Sequence, residues 1–318
     1  MRYNLESRPV ISIAMLVYNH EKYLEQALQS IFDQKIDVSF EVVIGEDYST
    51  DNSRDIIKEW MKKYPEKIRL LPQEHNLGMH ENFNRVLFAC DGKYVAWLEG
   101  DDFWLDDHKL QKQYSFLEGH SDYIGVTGNV FVVDASGNRD PDIQQNYPLQ
   151  KEGDFKLKDL AKGRKPGQTG TFFYKNIFKE MNQEDRDLIC SCHANGDIRL
   201  LGILLLSGKI KIMPEAMSAY RFVAVGGSNW NSLTHGKNYS EIYYDKILEL
   251  EVLLSALSGE KITLNVARYR HIASALLMAV RSHKKEDNKI FKNILRKEKN
   301  KTGAMLYCGK LAVKHIVK

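Results

Sequence analysis

Tyr94-Val95-Ala96-Trp97-Leu98-Glu99-Gly100-Asp101-Asp102 is an apolar, strand-like run that ends abruptly in three carboxylates and a glycine. Carboxylates this close repel one another, and a folded chain keeps such a group chiefly where a divalent cation or a bound cationic group neutralises it. The cluster therefore reads as a metal site, with oxygen ligands suited to Mg2+ or Mn2+. Its place just past an apolar strand is the end at which open α/β sheets bind their ligands. The chemistry such a site offers is the grip of a phosphorylated ligand through a metal.

The elements that must position the cluster can be read upstream of it. Val10 to Val17 is a nearly unbroken apolar run of the kind a buried parallel strand shows, followed by a turn at Tyr18-Asn19-His20. Glu21 to Phe32 puts Tyr23, Leu24, Ala27, Leu28 and Ile31 on one helical face. A second strand, Phe40 to Gly45, leads into Glu46-Asp47-Tyr48-Ser49-Thr50-Asp51-Asn52-Ser53, turn and cap residues before a helix over Arg54 to Tyr64. A short strand at Lys67 to Leu71, a loop from Pro72 to Gly78 and a helix from Met79 to Cys90 complete the approach to Tyr94. Strand and helix alternating at this spacing predict right-handed βαβ units and a mostly parallel, Rossmann-like α/β sheet flanked by helices.

Beyond the cluster the pattern predicts a helix over Lys109 to Glu118, a strand over Tyr123 to Asp134 and a polar, loop-rich stretch from Arg139 to Gly153. Thr169 to Tyr174 reads as a strand facing the crevice, Asp197 to Ser207 as a helix, and Lys209 to Met213 and Ala216 to Phe222 as two closing strands. From Tyr239 onward the pattern is helical throughout. The division expected is an α/β domain over 1–230 and a helical C-terminal region over 231–318.

Composition narrows the class. With 318 residues, 43% hydrophobic and 27% charged, the chain is that of an ordinary globular protein able to bury a full core. The net charge of +3 hides an asymmetry: from Arg281 to Lys318 there are twelve basic residues against three acidic ones, so the rest is mildly acidic. Such a tail suits an anionic membrane surface or a merely solvated helix face, and solvation is the plainer reading. A nucleic-acid partner is not expected. No stretch approaches the ~20 apolar residues needed to span a bilayer, and the first residues lack the apolar core of a signal peptide, which points to the cytoplasm, with a peripheral position on the inner membrane face as an option. Cys90, Cys190, Cys192 and Cys308 make no disulfide framework in a chain of this size, and Cys190-Ser191-Cys192-His193 lacks the second ligand pair of a zinc site.

Four segments stand in an informative order: Val10 to Ile31 with Tyr18-Asn19-His20-Glu21-Lys22-Tyr23-Leu24, then Glu46-Asp47-Tyr48-Ser49-Thr50-Asp51, then Asn76-Leu77-Gly78, then Glu99-Gly100-Asp101-Asp102-Phe103-Trp104. Together they resemble the family-2 glycosyltransferases of the GT-A fold, strongly to Leu117 and more loosely to about residue 225. The resemblance implies an inverting enzyme that takes a sugar from a nucleotide-sugar, a UDP-sugar by preference, and passes it to a glycan or lipid-linked acceptor. It implies that Asp101, with Asp102 assisting or capping the next helix, holds the cation on the diphosphate. Glu99, standing where aspartate is usual, would approach the ribose or the metal shell.

The resemblance further implies that Asp47 selects the base beside Glu46, since a carboxylate can accept the imide N–H of uracil. Val17 and Tyr18 would line the same pocket, while Asn76 and Gly78 would form the loop before the donor-site helix. His193-Ala194-Asn195-Gly196-Asp197 resembles the family's E-D segment with Gly196 replacing the glutamate, which makes Asp197 the base and His193 the alternative. Thr169 and Gly170 would lie on the acceptor side. Arg221 would bring positive charge to the diphosphate, and a mobile loop at Gly226-Gly227-Ser228-Asn229-Trp230 would close over it. Trp104 and Trp230 have flat faces on which sugars stack, or serve as core aromatics.

Two other readings compete. A sugar-phosphate nucleotidyltransferase shares a related fold, yet grips its triphosphate with a glycine-rich, arginine-containing loop where this chain has Tyr18-Asn19-His20-Glu21. A non-catalytic nucleotide-sugar-binding module could keep the fold while drifting at Glu99 and Gly196.

Overall fold

The apolar runs and amphipathic segments of the first hundred residues form the elements their periods predict. A computed structural model of the protein describes residues 9–223 and 238–316. In order come β1 (Ile11–Val17), α1 (Leu24–Phe32), β2 (Phe40–Glu46), α2 (Ser53–Lys63), β3 (Ile68–Leu70), α3 (Met79–Ala89) and β4 (Tyr94–Trp97). β1 lies between β2 and β4 and is parallel to both, which explains why nearly every one of its side chains is buried. The helices turn Leu24, Ala27, Leu28 and Ile31 of α1 and Ile57 of α2 into the core formed on this sheet.

The chain continues through β5 (Phe103–Trp104), α4 (Lys109–Gly119), β6 (Tyr123–Val133), α5 (Pro141–Gln144), β7 (Gly153–Phe155), α6 (Leu157–Leu160), a 3-10 turn (Thr169–Thr171) and β8 (Phe173–Lys175). α7 (Gln183–Ser191), α8 (Gly196–Ser207) and β9 (Lys209–Arg221) follow, then α9 (Ser240–Ser258), α10 (Asn265–Ser282), α11 (Lys285–Lys297) and α12 (Lys301–Ile316). The sheet runs β3-β2-β1-β4-β8-β6-β9-β5, with β7 on β9. It is parallel from β3 to β4 and between β6 and β9, while β8 runs antiparallel to both β4 and β6.

Two expectations for the second half are corrected, and of the two readings of Trp104 the core one fits its surroundings. The two closing strands are one, β9, because the chain bulges past Pro214 without leaving the sheet, and Asn129 donates to the Pro214 carbonyl across the irregularity at 2.8 Å. Thr169 to Thr171 is a buried 3-10 turn and pairing starts only at Phe173, so Thr169 and Gly170 are not strand residues. Trp104 is in the core: it is 5% exposed, donates from its indole N–H to the Gly170 carbonyl at 2.8 Å, and carries the Lys109 ammonium over its ring. Trp230 and the glycine-rich loop around it lie outside the described residues.

Contacts divide the chain into two units, one of 1–155, 166–186 and 207–233, the other of 156–165, 187–206 and 234–318. Segments 156–165 and 187–206, which the sequence pattern places with the sheet, thus belong with the C-terminal helices. The reason is visible in α8, which buries Leu200, Leu201, Ile203, Leu204 and Leu205 and therefore needs cover on more than one side. Leu250 and Leu254 of α9 supply it at Gly202, where an added Cβ would come within 3.1 Å of Leu254. A second cluster in this unit gathers Tyr244, Tyr269, Ile272, Ala275 and Ile294.

Because Trp104 is a core residue, Trp104→Ala is expected to cost about 3–5 kcal/mol of folding stability, read as a lower urea midpoint. An unchanged midpoint with a loss confined to sugar binding would restore the stacking role.

Candidate active site

The parallel register brings three loops to one level. Val17, the last residue of β1, pairs with Glu46, the last of β2. On the other edge Ala14 pairs with Trp97, and the chain past β4 stays beside β1 as Leu98 N–H donates to the Ala14 carbonyl and Gly100 N–H to the Leu16 carbonyl. Glu99 to Asp102 therefore lies next to the end of β1.

At the end of β2, Asp47 is 3% exposed and its carboxylate accepts from the backbone N–H groups of Leu77 (2.8 Å) and Gly78 (2.9 Å) and from the Gln73 side chain. Asn76 closes the same loop by donating to the Asp47 carbonyl. Gly78 adopts φ 82°, ψ 160°, a conformation essentially reserved for glycine. Glu46, fully buried, meets Arg54 at 2.6 Å and accepts from Ser49 N–H. The oxygens expected on a nucleobase are thus engaged with the protein itself, where they hold the 73–78 loop and the 46–54 turn in place. Tyr18 is among the exposed large side chains, and Asp51 caps α2 through Ser53 N–H.

Oxygens of Glu99, Asp101 and Asp102 lie within 4.8 Å of one another. Asp101 is 8% and Asp102 3% exposed. Burial, then the charges of Asp101 and Glu99, push the Asp102 carboxyl well above the ordinary carboxylate range, against the opposing pull of the Arg221 N–H it accepts at 2.7 Å. A carboxylate under that pressure in a set of hard oxygen donors fits a divalent cation. A second close group, Asp106, Asp107 and His108, contrasts with it: Lys112 and Lys35 already pair with its aspartates.

Arg221 differs from expectation. It is 2% exposed, and its guanidinium donates to the carbonyls of Asp101, Asp134 and Ala135 and to the Gln26 side chain, with the Tyr23 ring beneath it. It clamps the backbone behind the carboxylates, and its charge is aimed at protein oxygens.

The glycosyl transferase family 2 model matches residues 12–190, more than half of the chain. The chain belongs to glycosyltransferase family 2. An uncharacterized protein of Mycobacterium tuberculosis is 33% identical over 216 residues, 68% of this chain and 60% of its own length. A Bacillus subtilis protein named as the teichuronic acid biosynthesis glycosyltransferase TuaG is 36% identical over 121 residues, 38% of this chain and 47% of that protein. The chain thus matches less than two thirds of the length of these relatives. The same fold occurs in Staphylococcus aureus TarS 1-349 in complex with UDP-GlcNAc, with a TM-score of 0.62 and 18% identity over 90% of this chain and 79% of that one.

In this family-2 chain Asp197 stands at the start of α8, in the second unit. Burial raises its pKa, but the Lys165 ammonium at 2.7 Å and the N–H groups of Ile198 and Asp197 itself outweigh it and hold the carboxyl below the usual range. Asp197 is therefore ionised at neutral pH, the state a base requires. His193, the alternative, is exposed, and its backbone N–H donates to the Glu249 carboxylate. Sequence reasoning missed Lys165 and the Arg221 clamp, whose partners lie 32 and 119 positions away and leave no local signal.

Asp102→Asn keeps an oxygen acceptor for the Arg221 N–H and removes a carboxyl whose ionisation is opposed by burial and by the charges of Asp101 and Glu99, so without added metal it should melt above the wild type at neutral pH. Between the ordinary carboxylate value and the raised one, the folded state holds a proton on Asp102 that the unfolded chain releases. Lowering the pH through that raised pKa toward the ordinary carboxylate value should therefore stabilise the wild type relative to the variant. Melting curves in EDTA across that window check the sign; parallel curves would mean that Asp102 feels no such pressure.

Proposed function

We propose that this family-2 chain is an inverting glycosyltransferase that moves a sugar from a nucleotide-sugar, UDP-linked, to a hydroxyl of a glycan or lipid-linked acceptor. The gathering of Glu99, Asp101 and Asp102 beside the end of β1 is the observation that carries the reading. The name of TuaG favours a cell-wall polysaccharide as the acceptor class, and the UDP-GlcNAc bound by TarS favours UDP.

Glu99, Asp101 and Asp102 would hold Mg2+ or Mn2+, which supplies positive charge to a diphosphate leaving group. The acceptor oxygen forms its bond to the anomeric carbon as the bond from that carbon to the diphosphate oxygen breaks, and Asp197 takes the hydroxyl proton. Val17, Tyr18 and the loop that Asp47 anchors through Asn76 and Gly78 form the base side of this donor site, with Glu46 behind them. Thr169, Gly170 and Trp104 support the acceptor side from within the core, not by touching sugar.

Calorimetry with UDP and Mn2+ tests the assignment. Asp101→Asn should weaken Mn2+-dependent UDP binding by about tenfold or more, whereas Asp197→Asn should leave it intact and lower turnover by roughly 10²–10⁴. Metal-independent binding by the wild type sinks the cation site, and retained turnover in Asp197→Asn removes that residue from the base role.

We also assign the C-terminal helices a peripheral contact with anionic lipid. α11 exposes Lys289, Lys292 and Arg296, and α12 exposes Lys301 and Lys310 with Met305 and Leu306, basic and apolar together. No helix among the described residues is long and apolar enough to cross a membrane. Co-sedimentation with phosphatidylglycerol vesicles, absent with phosphatidylcholine and lost on deleting 301–318, is the expected result; equal pelleting with both lipids overturns it.

A further inference from the structure

His20 stands in the turn between β1 and α1, within the Tyr18-Asn19-His20-Glu21 segment. Its backbone is held from two sides. The N–H donates to Ser53 Oγ at the start of α2, and the carbonyl accepts from Tyr23 and Leu24 at the start of α1. Asn19 before it sits in the left-handed region at φ 56°, with its side chain accepting from Thr50 N–H. The imidazole is thereby set against Gly100, where an added Cβ would come within 2.8 Å of Nδ1. Its Nε2 lies 3.9 Å from Asp101 Oδ2.

Nδ1 is buried and has no hydrogen-bond partner. A proton there would be a buried donor with nothing to accept it, so the tautomer with a bare Nδ1 and the proton on Nε2 is the cheaper one. The same fact argues against His20 as a metal ligand through Nε2, because a ligating imidazole donates its other N–H to a partner and none faces Nδ1. What remains is an N–H 3.9 Å from an Asp101 oxygen, beyond hydrogen-bond distance.

We propose that His20 is a positioning residue of the carboxylate site, whose Nε2–H engages Asp101 when the site is loaded and fixes which Asp101 oxygen faces the cation. The inference rests on the donor-site reading above and adds a residue to it. Gly100 serves the same end, since only a residue without Cβ admits the ring.

The test is Mn2+ and UDP binding to the full chain, by calorimetry and by electron paramagnetic resonance of bound Mn2+. His20→Phe keeps the ring and loses the donor, and should weaken binding about tenfold or more. His20→Gln places an amide N–H where Nε2 was and should recover binding to within about threefold, with both variants melting at the wild-type temperature. A structural role alone would not separate the two. Wild-type affinity in His20→Phe overturns the proposal, as does His20→Gln binding as weakly as His20→Phe. A directly coordinated nitrogen in the pulsed spectrum also overturns it, by making His20 a ligand. Absence of Mn2+-dependent binding in the wild type would instead defeat the donor-site reading itself.

Discussion

Three carboxylates held at the end of β4 impose the constraint that organises the rest of the first unit. Within 4.8 Å of one another, two unit charges repel by at least about 3 kcal/mol at an effective dielectric near 20, a large fraction of the stability of an ordinary domain. The chain does not avoid this cost by spreading the groups apart. It fixes their backbone instead: Arg221 binds the Asp101 carbonyl through its side chain and the Asp102 carboxylate through its N–H, while Gly100 is pinned to Leu16. Repulsion that cannot relax by movement is relieved by a proton on Asp102 or by a cation, and the cation adds ligand bonds to that relief.

The same economy of movement appears in the neighbouring loops. Asp47 uses its buried carboxylate to collect two backbone N–H groups from a loop some thirty residues downstream. That arrangement requires the Gly78 backbone to turn as only glycine readily does. Tyr48 and Asn19, both at positive φ without being glycine, flank the same junction. Rare backbone conformations gathered at the ends of β1 and β2 are the local strain expected where a scaffold holds a binding surface in place. Their compensation lies in cross-links such as Thr50 N–H to Asn19 and Asn52 N–H to Glu21.

Much of this was legible in the residues alone, and the reason is local. β1, β2 and β4 are apolar runs and α1 to α3 have one apolar face, so period and capping locate them to within a few positions, and the carboxylates announce themselves by being adjacent. What escaped notice depends on partners distant in the chain. Nothing near Arg221 tells that its guanidinium turns inward to Asp134, Ala135 and Gln26, and a basic residue after a strand equally suits a phosphate. Trp104 next to the acidic motif looks like a ligand platform until Gly170 and Lys109 are found against it. The Thr169–Thr171 turn has strand-forming residues but lies where the sheet has not yet begun. Pro214, which suggests a break, marks a bulge because β6 continues past it.

Asp102 and Asp197 show what environment does with one functional group. Burial acts on both in the same direction, and the neighbours decide the outcome: like charges drive Asp102 toward its protonated form, whereas Lys165 and two N–H groups keep Asp197 ionised. An ionised carboxylate is ready to accept a proton, but one stabilised by an ammonium at 2.7 Å is a weak base, since protonation forfeits that ion pair. Lys165 therefore sets both the state and the strength of Asp197. In the base role proposed for Asp197, the low basicity would be offset only if the proton moved late, when the acceptor oxygen has already lost electron density to the anomeric carbon and has become far more acidic than a free hydroxyl. In such a displacement the carboxylate need not pull the reaction forward; it has to be ionised, fixed, and present when the proton becomes loose.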